Sequence, residues 1–104
     1  MTKKIAILGS GESGVGAAIL AKKKGYKVWV SDKGKIKDSY TKVLLNHEIA
    51  FEEGNHTEAQ ILDADEVIIS PGIPLTIPLV LELKGKGIPV ISEIEFAGRF
   101  TKAK

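Results

Sequence analysis

Gly9-Ser10-Gly11-Glu12-Ser13-Gly14 fits the spacing G-x-G-x-x-G and lies between a short apolar run, Ile5–Leu8, and a stretch with helical pattern. In that setting the spacing describes a phosphate-gripping turn. Gly9 permits the tight turn, and Gly11 lets an anion reach the backbone without meeting a Cβ. Gly14 and Gly16 let the helix pack close to the sheet. The first N–H groups of the helix then point at the anion, helped by the helix dipole. Each charge-assisted hydrogen bond contributes about 1.5–3 kcal/mol, so two or three suffice to hold a diphosphate. Ser13 adds a hydroxyl donor. Glu12 would repel a diphosphate, so its side chain is expected to point away, leaving backbone contacts inward.

Two further loops belong with this one. Asp32 ends the second apolar run, eighteen residues after Gly14, where a dinucleotide fold places an acid on the ribose or base. The alternative is a turn-forming Asp before Gly34. Lys33 and Lys35 follow, either as solvated loop charges or as attraction for an anionic ligand. Ser70-Pro71-Gly72-Ile73-Pro74 follows the fourth run. It reads as a rigid strand-to-helix connector, or as a stiff wall whose Gly72 leaves a flat face for a base or phosphate.

Other chemistries find no residues. With no cysteine in the chain, disulfides, zinc fingers and thiol catalysis are excluded. His47 and His56 have no metal-ligand spacing and are expected on the surface, at loops or helix ends. Glu93 and Glu95, two residues apart on a helix, diverge and make a poor acid–base pair. No G-x-x-x-x-G-K-[ST] loop for ATP and no Ser/His/Asp arrangement is present. Formal charge is only +2. The one dense basic cluster, Lys22-Lys23-Lys24, falls at a helix end, where cations complement the dipole, rather than forming a nucleic-acid surface.

The elements that must position these loops come from five apolar runs: Ile5–Leu8, Val28–Val30, Ile49–Phe51, Val67–Ile69 and Pro89–Ile91. Continuous apolar runs suit strands buried on both faces of a parallel sheet. Helices are expected at Ser13–Lys24, Lys37–Asn46, Thr57–Leu62 and Ile77–Lys86, with a last one opened by Ser92. Thr57 with Gln60, and Ser92 with Glu95, have capping-box spacing, and Thr76 can cap the helix that has Pro78 in its first turn. Gly25 and Gly87 stand where left-handed C-caps are needed. The alternation predicts an α/β, Rossmann-like, three-layer αβα domain with a five-stranded parallel sheet in the order 3-2-1-4-5. Its ligand crevice lies at the carboxyl ends of strands one and four, where the winding reverses.

One hundred and four residues is the size of one domain. Residues 1–100 are read as that domain and 101–104 as the start of a linker. Met1-Thr2-Lys3-Lys4 imitates the start of a signal peptide, but the apolar stretch stops at Gly9. No run is long enough to cross a bilayer, so no membrane insertion is expected and the location is read as cytoplasmic.

The glycine loop with Ser13, then Ser31-Asp32, Ala64-Asp65 before Ser70-Pro71-Gly72-Ile73, and Ser92-Glu93-Ile94-Glu95-Phe96 occur in one order. Together they resemble the N-terminal domain of the Mur ligases of bacterial peptidoglycan biosynthesis, over about Lys4 to Phe100. Ser-Pro-Gly-Ile is shared among Mur ligases, whereas the Glu-Ile-Glu-Phe ending with a plain glycine loop favours the D-glutamate-adding branch. The resemblance implies a domain that holds the UDP part of UDP-N-acetylmuramoyl-L-alanine. Gly11, Glu12, Ser13 and Gly14 would face the diphosphate, Asp32 and Lys33 would approach the uracil, and Ser70, Pro71 and Gly72 would form the opposite wall. It also implies an enzyme that uses ATP and Mg2+ to form an acyl phosphate, which D-glutamate attacks to give an amide. Those ligands would bind in further domains, leaving this piece inactive alone. Glu12 departs from the family pattern, in which uncharged residues are more usual, and Lys33-Gly34 is one variant of a variable loop. An NAD(P)-binding domain of a dehydrogenase and a nucleotide-sensing regulatory module predict the same fold.

Overall fold

The computed structural model describes residues 2–100, so the expected linker at 101–104 lies outside the described residues. The elements alternate without exception: β1 (Lys4–Leu8), α1 (Glu12–Lys23), β2 (Lys27–Asp32), α2 (Asp38–Asn46), β3 (Ala50–Glu53), α3 (Glu58–Leu62), β4 (Glu66–Ile69), α4 (Pro78–Gly85), β5 (Val90–Ser92) and α5 (Glu93–Phe100). All four strand pairings are parallel, and the sheet order is β3-β2-β1-β4-β5. This is the expected architecture, because strands apolar on both faces are stable only when helices cover each side.

The central strand shows the two-sided burial directly. Ile5 and Ile7 enter one core with Val15 and Ala18 of α1, Leu44 of α2 and Phe96 of α5. Ala6 and Leu8 enter the other with Ile61 of α3 and Leu79, Val80 and Leu83 of α4. All four apolar β1 side chains are fully buried, each larger one contributing about 1.5–3 kcal/mol of transfer free energy. At the far end of the sheet Arg99 of α5 donates to both carboxylate oxygens of Glu66, at 2.9 and 2.5 Å.

Helix ends divide into those the sequence announces and those it does not. Gly25 and Gly87 adopt φ +91° and +78°. In each case the next residue's N–H reaches back to the helix, Tyr26 to Ala21 and Ile88 to Leu83, both at 3.0 Å. These are the paired bonds of a left-handed helix stop. The same stop ends α2, where Ile49 N–H reaches Leu44 O at 2.9 Å. There a non-glycine residue, Glu48, takes the strained position at φ +57°.

The N-termini correct two expectations. Thr57 occupies the N-cap of α3 without a side-chain capping bond. Its hydroxyl goes instead to Glu52 Oε1 at 2.6 Å, and Gln60 accepts from Lys4 Nζ, so no capping box forms. Thr76 caps nothing: Ile77 is the N-cap of α4 and Pro78 opens the helix, since a proline there fixes φ with no N–H to satisfy. Ser92 does cap α5, accepting the Glu95 N–H at 3.0 Å. Among the described residues no helix is long and apolar enough to cross a membrane.

Candidate functional site

Three loops meet at the carboxyl ends of β1, β2 and β4, and backbone contacts fix their spacing. Gly9 N–H donates to Ser31 O at 2.9 Å, and Ser70 N–H donates to Leu8 O at 3.0 Å. Gly9 sits at φ +101°, and a Cβ there would come within 2.6 Å of Ser70 Cβ. The first glycine therefore allows both the turn and the close approach of the β4 loop. Gly14 has a different reason. Its Cβ would stand 2.2 Å from Gly9 O, so α1 can begin directly above the turn only without a side chain there.

Gly11 meets neither constraint. No heavy atom lies within 4 Å of where its Cβ would be, and its φ of −68° suits any residue. The fold leaves open the space that a phosphate would need. Gly11 is also the N-cap of α1, which has no side-chain cap, so the helix itself offers no acceptor for its first-turn N–H groups. Gly16 corrects an expectation: nothing lies within 4 Å of its Cβ position, so of the two glycines only Gly14 is needed for the close approach.

A cavity of about 710 Å³ opens between these loops. Of the expected site residues, Gly11, Asp32, Lys33, Ser70 and Gly72 line it. Glu12 is exposed and outside the lining, Gly14 is buried beneath the helix start, and Ser13 and Pro71 line a separate groove beside α5. Gly72, like Gly11, has open space at its Cβ position.

Asp32 acts as a clamp between loops. Its Oδ2 accepts from Ser10 N at 2.9 Å and from Ser10 Oγ at 2.5 Å, and its Oδ1 accepts from Gly34 N at 2.8 Å. It is thus a turn former and a cavity residue at once. Both carboxylate oxygens are engaged, Oδ2 in orienting the glycine turn and Oδ1 in its own turn at Gly34, which disfavours the two-pronged grip on a ribose diol that a dinucleotide domain needs.

The far rim holds residues that sequence reasoning missed. Ser31 is fully buried, and its hydroxyl lies 2.9 Å from Glu52 Oε2, 3.3 Å from Asn55 O and 2.6 Å from His56 Nδ1. Glu52 also accepts from Thr57 N at 2.6 Å, Thr57 Oγ1 at 2.6 Å and the Trp29 indole at 3.3 Å. Burial alone would raise the Glu52 carboxyl. The bonds from Thr57, Ser31 and Trp29 outweigh it and hold the group below its ordinary value. His56, expected at the surface, is half-buried and lines the cavity. Burial pushes its imidazole below the ordinary value, against the opposing charges of Glu52 and Asp32 and with help from Lys33. His47 is exposed at the end of α2, as expected. No short-range spacing marks His56: its partners come from β2 and β3, and only sheet pairing brings them together.

A family model described as the MurD N-terminal domain matches residues 4–76. The chain belongs to that family. Among MurD relatives, the UDP-N-acetylmuramoylalanine–D-glutamate ligase of Bacteroides thetaiotaomicron is 65% identical over 102 residues, which cover 98% of this chain and 23% of that protein. The chain thus spans less than a quarter of that relative's length. Among solved structures, a pseudomurein peptide ligase type C from Methanothermus fervidus superposes with a TM-score of 0.78 at 31% identity, covering 99% of this chain and 21% of that one. A murein peptide ligase from Psychrobacter arcticus superposes at 0.84 with 22% identity, over 95% of this chain and 21% of that one, a likeness of fold alone.

Proposed function

We propose that residues 1–100 form the domain that holds the uridine diphosphate part of UDP-N-acetylmuramoyl-L-alanine in a cytoplasmic, ATP-dependent ligase that adds D-glutamate to it. The supporting observation is the pairing of an open Gly11 with an uncapped α1 start on the wall of the cavity. Backbone N–H groups and the helix dipole meet the diphosphate there. Lys33 supplies a cation on the same cavity, and Ser70 and Gly72 close the opposite side. Glu12, Ser13 and Gly14 contribute through their backbone at the helix start. Asp32 acts mainly by setting the turn.

ATP, Mg2+ and D-glutamate are assigned to parts of the full protein beyond this chain, which carries no ATP phosphate-loop sequence. The chain alone is therefore inactive as a ligase.

Calorimetry of the 104-residue chain with UDP, UDP-N-acetylmuramoyl-L-alanine, NADH and NADPH tests this reading. The uridine compounds are expected to bind, on the order of mM because one domain alone cannot close over them. A clear NADH signal with UDP silent would replace the reading with a dehydrogenase domain. Gly11→Val should abolish UDP binding while moving the thermal midpoint by no more than about 4 °C, equivalent to under 1 kcal/mol. Unchanged affinity in that variant would put the diphosphate elsewhere.

A further inference from the structure

The Ser31 hydroxyl carries one proton and has three neighbours within bonding distance: a carboxylate oxygen of Glu52, the Asn55 carbonyl and His56 Nδ1. The first two only accept. Were Ser31 to donate to the histidine, its lone pairs would face the Glu52 carboxylate at 2.9 Å. Were Nδ1 an unprotonated acceptor while Ser31 donated to Glu52, two lone pairs would meet at 2.6 Å. One arrangement satisfies the two shorter contacts: Ser31 donates to Glu52, and His56 Nδ1–H donates to Ser31, while the Asn55 carbonyl at 3.3 Å is left as the weakest neighbour. Glu52 is fixed as the acceptor by its further bonds from Thr57 and Trp29. In a neutral imidazole whose Nδ1 bears the proton, Nε2 is a bare acceptor. His56 lines the cavity, and its Nε2 has no hydrogen-bond partner among the described residues.

We propose that His56, its tautomer set by Ser31 and Glu52, presents Nε2 as an acceptor that selects a ligand base bearing a ring N–H, an imide such as uracil, over one with a ring lone pair in that place. The inference rests on the uridine-diphosphate reading above and adds the group that reads the base. Asp32, the other acidic side chain beside the glycine turn, is already engaged by Ser10 and Gly34. The charged groups around the imidazole are Glu52 from β3, Asp32 from the end of β2, and Lys33 and Glu58 on the same cavity. With burial outweighing the two acids, the imidazole is neutral at pH 7.5. In acid it gains a proton on Nε2 and turns from acceptor to donor.

The test compares UDP, N3-methyluridine diphosphate and CDP on the 104-residue chain by calorimetry, at pH 7.5 and at a descending series of lower pH values. UDP is expected to bind about tenfold more tightly than either analogue at pH 7.5, the value of one well-placed hydrogen bond. That ratio should shrink as the pH falls through the lowered imidazole value, and phosphate protonation cancels from it because all three ligands share the diphosphate. His56→Asn keeps a donor for Ser31 and removes the ε-position, so UDP affinity should fall about tenfold with CDP nearly unchanged. Nitrogen-15 shifts of His56 in the unliganded chain give a check that needs no variant: Nδ1 should carry the proton at neutral pH.

An Nε2–H tautomer, or a UDP preference unaltered by pH and by His56→Asn, would overturn the inference while leaving uridine-diphosphate binding in place. Absence of UDP binding in the unsubstituted chain would overturn both.

Discussion

The two rims of the cavity are built by opposite means. The β1–α1 rim is a backbone construction: Gly9 turns, Gly14 lets the helix start against the Gly9 carbonyl, and Gly11 leaves a gap. The β2–β3 rim is a side-chain construction in which Glu52 gathers Thr57, Ser31 and Trp29, and Ser31 positions His56. The backbone rim admits no side chain at Gly9 or Gly14, and it does not depend on ionisation. A hydrogen-bonded rim tolerates changes of shape, yet it loosens as soon as its central carboxylate is neutralised. On the reading proposed above, the first rim would hold an anion and the second would read a base.

The largest expected effect breaks the first rim. Gly14→Ala drives a methyl group to 2.2 Å from Gly9 O, and the atom it meets is backbone that cannot rotate away. A loss of about 3 kcal/mol or more follows, seen as a thermal midpoint lower by roughly 12–24 °C. A variant that melts like the parent would show that the helix start can shift freely.

Glu52→Gln breaks the second rim at lower cost. The amide cannot accept all four of the bonds that converge on the carboxylate, so a loss of about 1–3 kcal/mol is expected in urea unfolding at neutral pH. The pH dependence carries the sign. Glu52 is held below its ordinary value in the folded chain, so its contribution is present above the unfolded-state value and is lost as the pH falls through the lowered one. His56, also lowered by folding, acts in the same direction: its protonation on acidification favours the unfolded chain. Stability should therefore fall on acidification, and Glu52→Gln should flatten the lower part of that decline. An acid limb of unchanged slope would assign it to other groups.

Two smaller changes sharpen the contrast. Gly16→Ala, two positions beyond Gly14 in the same helix but with open space around it, should stabilise the chain by about 0.5–1 kcal/mol. Opposite signs at Gly14 and Gly16 would separate steric need from helix propensity in a single element. At Glu48, held at φ +57°, substitution by glycine relieves the left-handed strain and should raise stability by about 1 kcal/mol, partly offset by the wider freedom of the unfolded chain. A lower midpoint would show that Glu48 makes a compensating contribution through its side chain.

Local sequence carried the strands, their order, the glycine turn and the helix stops at Gly25 and Gly87. Each of these depends on residues close in the chain: apolar runs, a fixed glycine spacing, a missing Cβ. It misjudged Thr57 and Thr76, because a capping motif offers the hydroxyl a helix N–H while the fold offers Thr57 a stronger acceptor in Glu52 and gives the α4 cap to Ile77. Asp32 was legible in place and as a turn former before Gly34, but not as the clamp on Ser10. Its spacing from the glycine loop was visible, whereas its bonds to Ser10 required β1 and β2 to lie side by side.

The sequence by itself determined a parallel α/β sheet, a glycine turn after its first strand and loops able to face one ligand, since periodicity and glycine spacing act over a few residues. Only the tertiary structure decided which glycine is left open, which acid is already occupied and which histidine nitrogen is free. Those outcomes depend on atoms brought within 3 Å from residues more than twenty positions apart, a proximity that no local pattern encodes.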